Sequence, residues 1–205
     1  MKGCLPMNNI LNSLTQRYPA LSGCRESILT AYYYMEKCFE NGGKLLTCGN
    51  GGSAADADHI VGELMKGFML ERRIDSQSEV LSHLQDGLPA ISLCAHTGLM
   101  TAFANDCDSE YVFAQQVYAY SSKCKNDLLF ALSTSGNSKN VVRAAQTANE
   151  IGIKTIAITG ENGGALSELA DVCIKLPEIE TYKIQELTVP VYHCLCAMVE
   201  KRFFG

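Results

Sequence analysis

The sequence lacks the features of a membrane or secreted protein. No apolar run approaches the roughly 18 residues that a bilayer-spanning helix needs. The segment from Met1 to Pro6 contains no long apolar stretch of the kind found in signal peptides. The 10 cysteines include no C-x-x-C pair and are scattered through apolar segments, which is typical of buried, reduced thiols. We therefore expect a cytoplasmic protein with no membrane partner.

Motifs for nucleotides are also missing. The chain has no Walker A sequence and no G-x-G-x-x-G, so we expect no nucleotide cofactor. Its formal net charge of -5 argues against direct binding of nucleic acid. Because 205 residues with 47% hydrophobic content suffice for one sizeable core, we expect a single domain over residues 1–205. Residues 1–43 would form an N-terminal helical part and residues 44–205 the α/β core.

Five short segments rich in Val, Ile and Leu alternate with helical patterns. Strands separated by helices pair in parallel, and strands this apolar are buried on both faces. The pattern predicts an α/β fold, a three-layer α-β-α sandwich with a five-stranded parallel sheet and two helices ahead of it. Ligands of such folds lie beyond the carboxyl ends of the strands. The predicted strands are Lys44–Cys48, Leu88–Cys94, Asp127–Leu132, Lys154–Thr159 and Val172–Leu176.

A glycine turn follows the first predicted strand. Its sequence, G-N-G-G-S over Gly49–Ser53, permits positive φ and places Ser53 as a helix N-cap. A strand, a glycine turn and a helix in this order present free N–H groups to an anion. In the helix that follows, His59 and Glu63 share a face because they are four residues apart. The pair is either a solvated pair or part of an acid–base or metal site.

A denser polar cluster follows the third predicted strand. Four hydroxyl side chains, from Ser133, Thr134, Ser135 and Ser138, lie where a strand ends and a helix begins. Hydroxyls and backbone N–H groups can hold a phosphate without a lysine or arginine. The alternative is an ordinary N-cap with polar neighbours, but four hydroxyls together favour a ligand.

The last predicted helix, Thr181–Phe204, is mostly apolar but carries Gln185, Glu186 and His193. These polar positions favour a functional site, and the alternative is a hydrogen-bonded core histidine. Pro190 removes one backbone hydrogen bond, so we expect an irregular helix here.

Elsewhere, Asn105 and Asp106 could cap a helix or contact a sugar hydroxyl, and the residues alone do not decide between these roles. His96, which follows the second predicted strand, is a weaker candidate.

In this order the motifs resemble the SIS (sugar isomerase) domain family, and more narrowly its phosphoheptose isomerases, over nearly the whole chain. The resemblance implies the flavodoxin-like SIS fold. It implies an intramolecular oxidoreductase of carbohydrate metabolism that converts sedoheptulose 7-phosphate to D-glycero-D-manno-heptose 7-phosphate through an enediol(ate). The alternative is a non-catalytic SIS protein that binds sugar phosphates as a regulator, such as one that binds a replication initiator. The matching stretches are Gly49–Ala57, His59–Glu63, Ala104–Asp106, Ser133–Ser138, Ile158–Gly160 and Ile184–His193.

The resemblance also assigns roles, with Glu63 and His193 as the acid–base groups. It implies a homotetramer with active sites at subunit interfaces. The zinc ligands that it implies are His59, Glu63, Gln185 and His193. The residues that it places on the sugar are Asn50, Gly51, Gly52, Ser53, Glu63, Asn105, Asp106 and Gln185. The phosphate would be held by Ser133, Thr134, Ser135 and Ser138.

The sequence departs from the family pattern at three places. Gly67 stands where the family usually has an arginine, four residues after Glu63. His96 stands where many members carry an acidic residue, and the polar segment 71–86 is longer than in typical members. These departures leave a related phosphosugar as the alternative substrate.

Overall fold

The computed structural model describes residues 4–205, with side chains from residue 9 onward. Its centre is one sheet of five parallel strands in the order β2-β1-β3-β4-β5. In the register, Leu45 pairs with Ala90 on one side and with Leu128 on the other. The predicted parallel sheet is confirmed. The strands are β1 (Leu45–Cys48), β2 (Ala90–Ser92), β3 (Leu128–Leu132), β4 (Lys154–Thr159) and β5 (Val172–Lys175).

Helices cover both faces of the sheet. Every residue of β1 and β3 is buried, because each strand contacts helices on both sides. The helices are α1 (Cys4–Arg17), α2 (Arg25–Glu40), α3 (Gly52–Met65), α4 (Glu79–Ser82), α5 (Thr97–Phe103), α6 (Val112–Ser121), α7 (Lys139–Ile151), α8 (Leu166–Leu169) and α9 (Thr181–Phe204). The first three helices and α9 pack on one face, while α6, α7 and α8 pack on the other. The predicted three-layer sandwich, with two helices before β1, is therefore confirmed.

Pro190 does not interrupt the last helix. Helix α9 runs without interruption from Thr181 to Phe204, with Pro190 inside it. Pro190 is buried, and α9 packs against α1, α2 and α3. This packing offsets the one backbone hydrogen bond that the proline removes. Helix α9 therefore presents its polar residues at fixed positions.

Two further findings concern the expected cellular setting. Among the helices that the structure describes, none combines the length and apolarity that a membrane crossing needs. The cysteines from Cys24 to Cys196 have free thiols. Burial raises the pKa of the Cys48 thiol well above its usual value.

A buried ion pair joins the end of α3 to α9. The side chains of Arg72 and Glu200 are both buried, and their closest charged atoms are 2.8 Å apart. The Glu200 carboxylate also accepts hydrogen bonds from the backbone N–H groups of Phe68 and Met69, each at 2.7 Å. Arg72 in turn donates to the carbonyl oxygen of Leu64 at 2.7 Å and so caps the last turn of α3. The pair thus fixes the chain after α3 against α9.

Apart from buried Arg72 and half-buried Ile74 and Ser76, the long polar segment 71–86 is exposed. It contains the single-turn helix α4, and Arg73 and Gln85 form an isolated antiparallel bridge. Val80, Leu81 and Leu84 expose apolar side chains on it. Arg72 is the residue of this segment that the structure places in the core.

We expect Arg72→Ala to lower the free energy of unfolding by about 3–5 kcal/mol, because it leaves the Glu200 charge buried without its partner. The matched control is Arg73→Ala. The Arg73 side chain is 83% exposed and pairs only with exposed Glu71, so its removal should change stability by less than about 0.5 kcal/mol. Urea unfolding followed by circular dichroism, at one protein concentration, measures both variants. Equal effects would contradict the structural role assigned to the ion pair.

Candidate active site

The glycine turn joins β1 to α3 at the carboxyl edge of the sheet. Gly51 has φ +56°, a left-handed conformation that favours glycine, and it precedes the first residue of α3, Gly52. Ser53 is buried inside the first helical turn, so its predicted role as the N-cap is wrong. The helix starts one residue earlier than expected because Gly51, rather than a serine, supplies the non-helical backbone ahead of it.

Helices α3 and α9 bring His59, Glu63 and His193 together. One candidate ligand atom from each residue lies within 4.8 Å of the others. The His59 Nε2 atom is 3.0 Å from Glu63 Oε1, and the rings of His59 and His193 are 5.0 Å apart, edge to face. The structure thereby unites three of the four residues expected to bind zinc.

Two polar atoms of this cluster lack partners. Among the described residues, Glu63 Oε2 and His193 Nε2 are buried and have no hydrogen-bond partner. Buried polar atoms nearly always have a hydrogen-bond partner, so two unpaired atoms in one cluster indicate a site that a ligand or a metal ion completes. Burial, together with the nearby His59, lowers the pKa of His193, although Glu63 opposes the shift. The neutral imidazole that results is the form that binds a metal or accepts a proton.

Gln185 lies on α9 against the start of α3. A Cβ atom added to Gly52 would come within 2.7 Å of Gln185 Nε2, so the missing side chain of Gly52 makes room for the amide. The structure therefore places Gln185 beside the glycine turn, as a sugar-binding residue requires. Its roles toward sugar and zinc stay predictions. Glu186, the next residue, is exposed.

The serine loop, Ser133–Ser138, connects β3 to α7. Ser133 donates a hydrogen bond to the Ser138 hydroxyl at 3.0 Å. Ser138 stands at the N-cap of α7 but makes no side-chain bond to the helix, which leaves N–H groups of the first turn free for a ligand. Gly136 has φ +66°, and a Cβ there would lie 1.9 Å from the Gly163 carbonyl oxygen. The phosphate-binding roles of this loop, including those of Thr134 and Ser135, stay predictions.

The two loops are joined by a residue that sequence reasoning missed. The amide groups of Asn50 and Asn140 exchange two hydrogen bonds, at 2.8 and 2.9 Å. Asn50 belongs to the glycine turn, and Asn140 lies in the first turn of α7. A polar residue two positions after the serine loop was the available signal. This amide pair holds the candidate sugar-binding turn beside the candidate phosphate-binding loop.

Asn105 and Asp106 lie apart from these contacts. Both are exposed in a π-helical turn, Ala104–Asp108, where Asn105 donates to Asp106 Oδ1 at 2.8 Å. Their predicted contact with the sugar stays a prediction. His96 follows β2, and its Nε2 is 3.0 Å from the hydroxyl of Tyr120.

A lysine accompanies Glu63 where the family arginine is missing. Gly67 donates its backbone N–H to Gln85 Oε1 and so ties the chain just after α3 to the end of the segment 71–86. The Nζ atom of the neighbouring Lys66 is 3.6 Å from Glu63 Oε2. Lys66 was not among the predicted site residues. Lys66 is a half-exposed cation near the oxygen of the Glu63 carboxylate that accepts no hydrogen bond from the described residues.

Fold and site together define a doubly wound α/β protein with a His–Glu–His cluster on α3 and α9 and a hydroxyl-rich loop between β3 and α7. The SIS domain family model matches residues 11–160. A phosphoheptose isomerase from Helicobacter pylori (strain Shi470) is 40% identical over 184 residues, which cover 90% of this chain and 88% of that protein.

Two solved structures extend the similarity to three dimensions. A phosphoheptose isomerase from Francisella tularensis has a TM-score of 0.78 and 32% identity, covering 97% of this chain and 98% of that one. A phosphoheptose isomerase from Neisseria gonorrhoeae has a TM-score of 0.75 and 32% identity, covering 94% and 97%. This chain belongs to the SIS domain family and, within it, to the phosphoheptose isomerases. The resemblance read from the sequence is confirmed.

We expect Gly52→Ala to displace Gln185 and to lower isomerase turnover by about 10- to 100-fold, because a small misplacement in a site is costly. The fold should survive, since the clash involves the end of a flexible side chain. Gly62→Ala is the control on the same helix, because a Cβ there meets nothing within 4 Å. It should keep turnover and add up to about 1 kcal/mol of stability. Steady-state kinetics and Gln185 amide resonances measure the effect, and unchanged resonances in Gly52→Ala would refute the contact.

Proposed function

We propose that this chain isomerises sedoheptulose 7-phosphate to D-glycero-D-manno-heptose 7-phosphate. The observation that carries the proposal is the His59–Glu63–His193 cluster, with two unpaired buried polar atoms, in a chain of the phosphoheptose isomerase family. A protein that only binds sugar phosphates needs the serine loop but has no need of such acid–base groups. The cluster therefore favours the enzyme over the non-catalytic regulator.

Binding and chemistry fall to different elements. The serine loop and the first turn of α7 hold the phosphate through hydroxyls and backbone N–H groups. The glycine turn and Gln185 contact the sugar. The two groups at the reacting carbons are Glu63 and His193, which come from α3 and α9.

The reaction moves one proton from C1 to C2 of the ketose. Glu63 Oε2, which accepts no hydrogen bond from the described residues, is the base that takes the proton from C1 and gives an enediol(ate). Return of the proton to C2 yields the aldose. His193, held neutral by its surroundings, exchanges the proton between the oxygens on C1 and C2.

Zinc is part of the proposal, held by His59, Glu63 and His193 with the Gln185 amide oxygen as a weaker fourth ligand. Two imidazoles and a carboxylate within 4.8 Å form a donor set that zinc accepts, and the unpaired buried atom His193 Nε2 fits such a role. Glu63 would bind through Oε1, the oxygen beside His59, which leaves Oε2 as the base. When bound, zinc would supply Lewis-acid stabilisation of the negative charge that develops on the sugar oxygens.

The proposed setting is the cytoplasm, which agrees with the free cysteines from Cys24 onward. Neither a nucleotide cofactor nor direct contact with nucleic acid enters the proposal. A related ketose phosphate is the alternative substrate, because Gly67 replaces the family arginine.

We expect Glu63→Gln to lower turnover of sedoheptulose 7-phosphate by about 100- to 10,000-fold, because the amide cannot act as the base. Phosphosugar binding should stay measurable by calorimetry, since the serine loop is unchanged. The control is Glu150→Gln, at an exposed glutamate near the end of α7, which should keep full turnover.

The same assay, run with zinc and after removal of metal by a chelator, compares several ketose phosphates. Retention of most activity by Glu63→Gln would show that Glu63 is not the base. If the unaltered protein binds ketose phosphates but neither turns them over nor exchanges the proton on C1, it is a regulator and not an isomerase.

We also propose a homotetramer with active sites at subunit interfaces. Exposed apolar side chains near the cluster support it, since Met65 and Met69 are 55% and 68% exposed just after the turn that carries Glu63. Light scattering at micromolar concentration should give four times the chain mass of 22.3 kDa. A mass of one chain would contradict an interfacial site.

A further inference from the structure

A tyrosine next to the cluster contacts Nδ1 of His59, the ring nitrogen that does not face Glu63. The side chain of Tyr192 is 1% exposed, and its hydroxyl is 2.8 Å from His59 Nδ1. The same hydroxyl donates to Asp56 Oδ1 at 3.4 Å. Asp56 precedes His59 by three residues on α3, so both lie on the helix face toward α9. The three side chains form one chain of hydrogen bonds that ends at the cluster.

The hydrogen-bond partner of Nδ1 determines whether Nε2 of His59 carries a proton or a lone pair. A neutral imidazole carries its proton on one nitrogen and a lone pair on the other. If Nδ1–H donates to the Tyr192 oxygen, the lone pair of Nε2 points into the cluster. A carboxylate accepts hydrogen bonds and donates none, so Asp56 draws the hydroxyl proton toward itself and leaves the Tyr192 oxygen free to accept.

The other nitrogen of the ring faces the carboxylate of Glu63. His59 Nε2 is 3.0 Å from Glu63 Oε1. In the absence of a metal, 3.0 Å is the distance of a hydrogen bond from Nε2–H to the carboxylate. A metal ion bound by both atoms displaces that proton, and the neutral ring then carries its proton on Nδ1. The arrangement therefore suits a metal ion that both atoms bind, with Nδ1–H held by the tyrosine.

We propose that Tyr192 and Asp56 are positioning residues that fix the ring of His59 so that Nε2 presents its lone pair to the metal. The inference rests on the zinc site of the proposed function. Partners of this kind, which hold the second nitrogen of a ligating histidine, typically change metal affinity by about 10- to 100-fold when removed.

The test compares Tyr192→Phe with the matched control Tyr32→Phe. Tyr32 is equally buried, at 0% exposure, but lies on α2. Both changes remove one hydroxyl and keep the ring, including the edge contacts of Tyr192 with His59 and His193. Zinc affinity is measured by competition with a chromophoric chelator on the full-length protein. Tyr192→Phe should weaken zinc binding by about 10- to 100-fold, and Tyr32→Phe by less than about 2-fold.

Three further measurements separate positioning from general structure. Asp56→Asn, which keeps the size of the side chain, should weaken zinc binding by at least about 3-fold, and it carries the test if Tyr192→Phe does not fold. In the zinc-loaded protein, the Nδ1–H proton of His59 should be visible by NMR and should exchange faster in Tyr192→Phe. Excess zinc should restore turnover to that variant. Equal zinc affinity in Tyr192→Phe and the unaltered protein would overturn the proposal. If Tyr192→Phe does not fold, equal zinc affinity in Asp56→Asn and the unaltered protein would overturn it.

Failure of this inference is distinguishable from failure of the proposed function. An unaltered protein that turns over sedoheptulose 7-phosphate but binds no zinc refutes the role of Tyr192 and leaves the isomerase intact. Weakened zinc binding in Tyr192→Phe, in a protein that does not act on sedoheptulose 7-phosphate, supports the role of Tyr192 and refutes the substrate.

Discussion

The buried ion pair between Arg72 and Glu200 is the constraint on which the site geometry depends. Burying two charges costs several kcal/mol per ion, and this cost is offset only when further hydrogen bonds satisfy both groups. Here the carboxylate also accepts two backbone N–H groups, and the guanidinium caps a carbonyl of α3. The helices joined in this way carry His59, Glu63 and His193. A network this well satisfied permits little relative movement of α3 and α9.

The parallel sheet supplies the second part of the arrangement. Since β1 and β3 are neighbours and run in the same direction, the loops that follow them lie side by side at one edge. The glycine turn and the serine loop are then close enough for Asn50 and Asn140 to pair. The position of the glycine turn beside the serine loop therefore follows from strand order, whereas the His59–Glu63–His193 cluster follows from helix packing.

Much of this architecture could be predicted from the sequence, because buried strands are apolar runs and glycine and serine loops have local signatures. The interactions that join distant segments could not. Arg72 lies in a polar stretch, and nothing local marks its pairing with a residue 128 positions later. The continuity of α9 through Pro190 likewise depends on packing against three helices. Asn140 matters only through Asn50, a partner that folding brings near. Lys66, in contrast, is three residues from Glu63, so its pairing was open to prediction from the sequence.

Position 67, where the family resemblance leads us to expect an arginine, is a glycine, and Lys66 and Arg72 are the cations that contact Glu63. An arginine presents a rigid planar fork that binds a carboxylate or phosphate through two bonds, whereas a lysine is a mobile point charge. Lys66 Nζ stands 3.6 Å from Glu63 Oε2 and is more than half exposed, so solvent screens its effect on that carboxylate. The arginine of this region, Arg72, contacts the backbone carbonyl of Glu63 and not its side chain. Two residues thus contact Glu63: Arg72 holds its backbone, and Lys66 places a positive charge near its carboxylate.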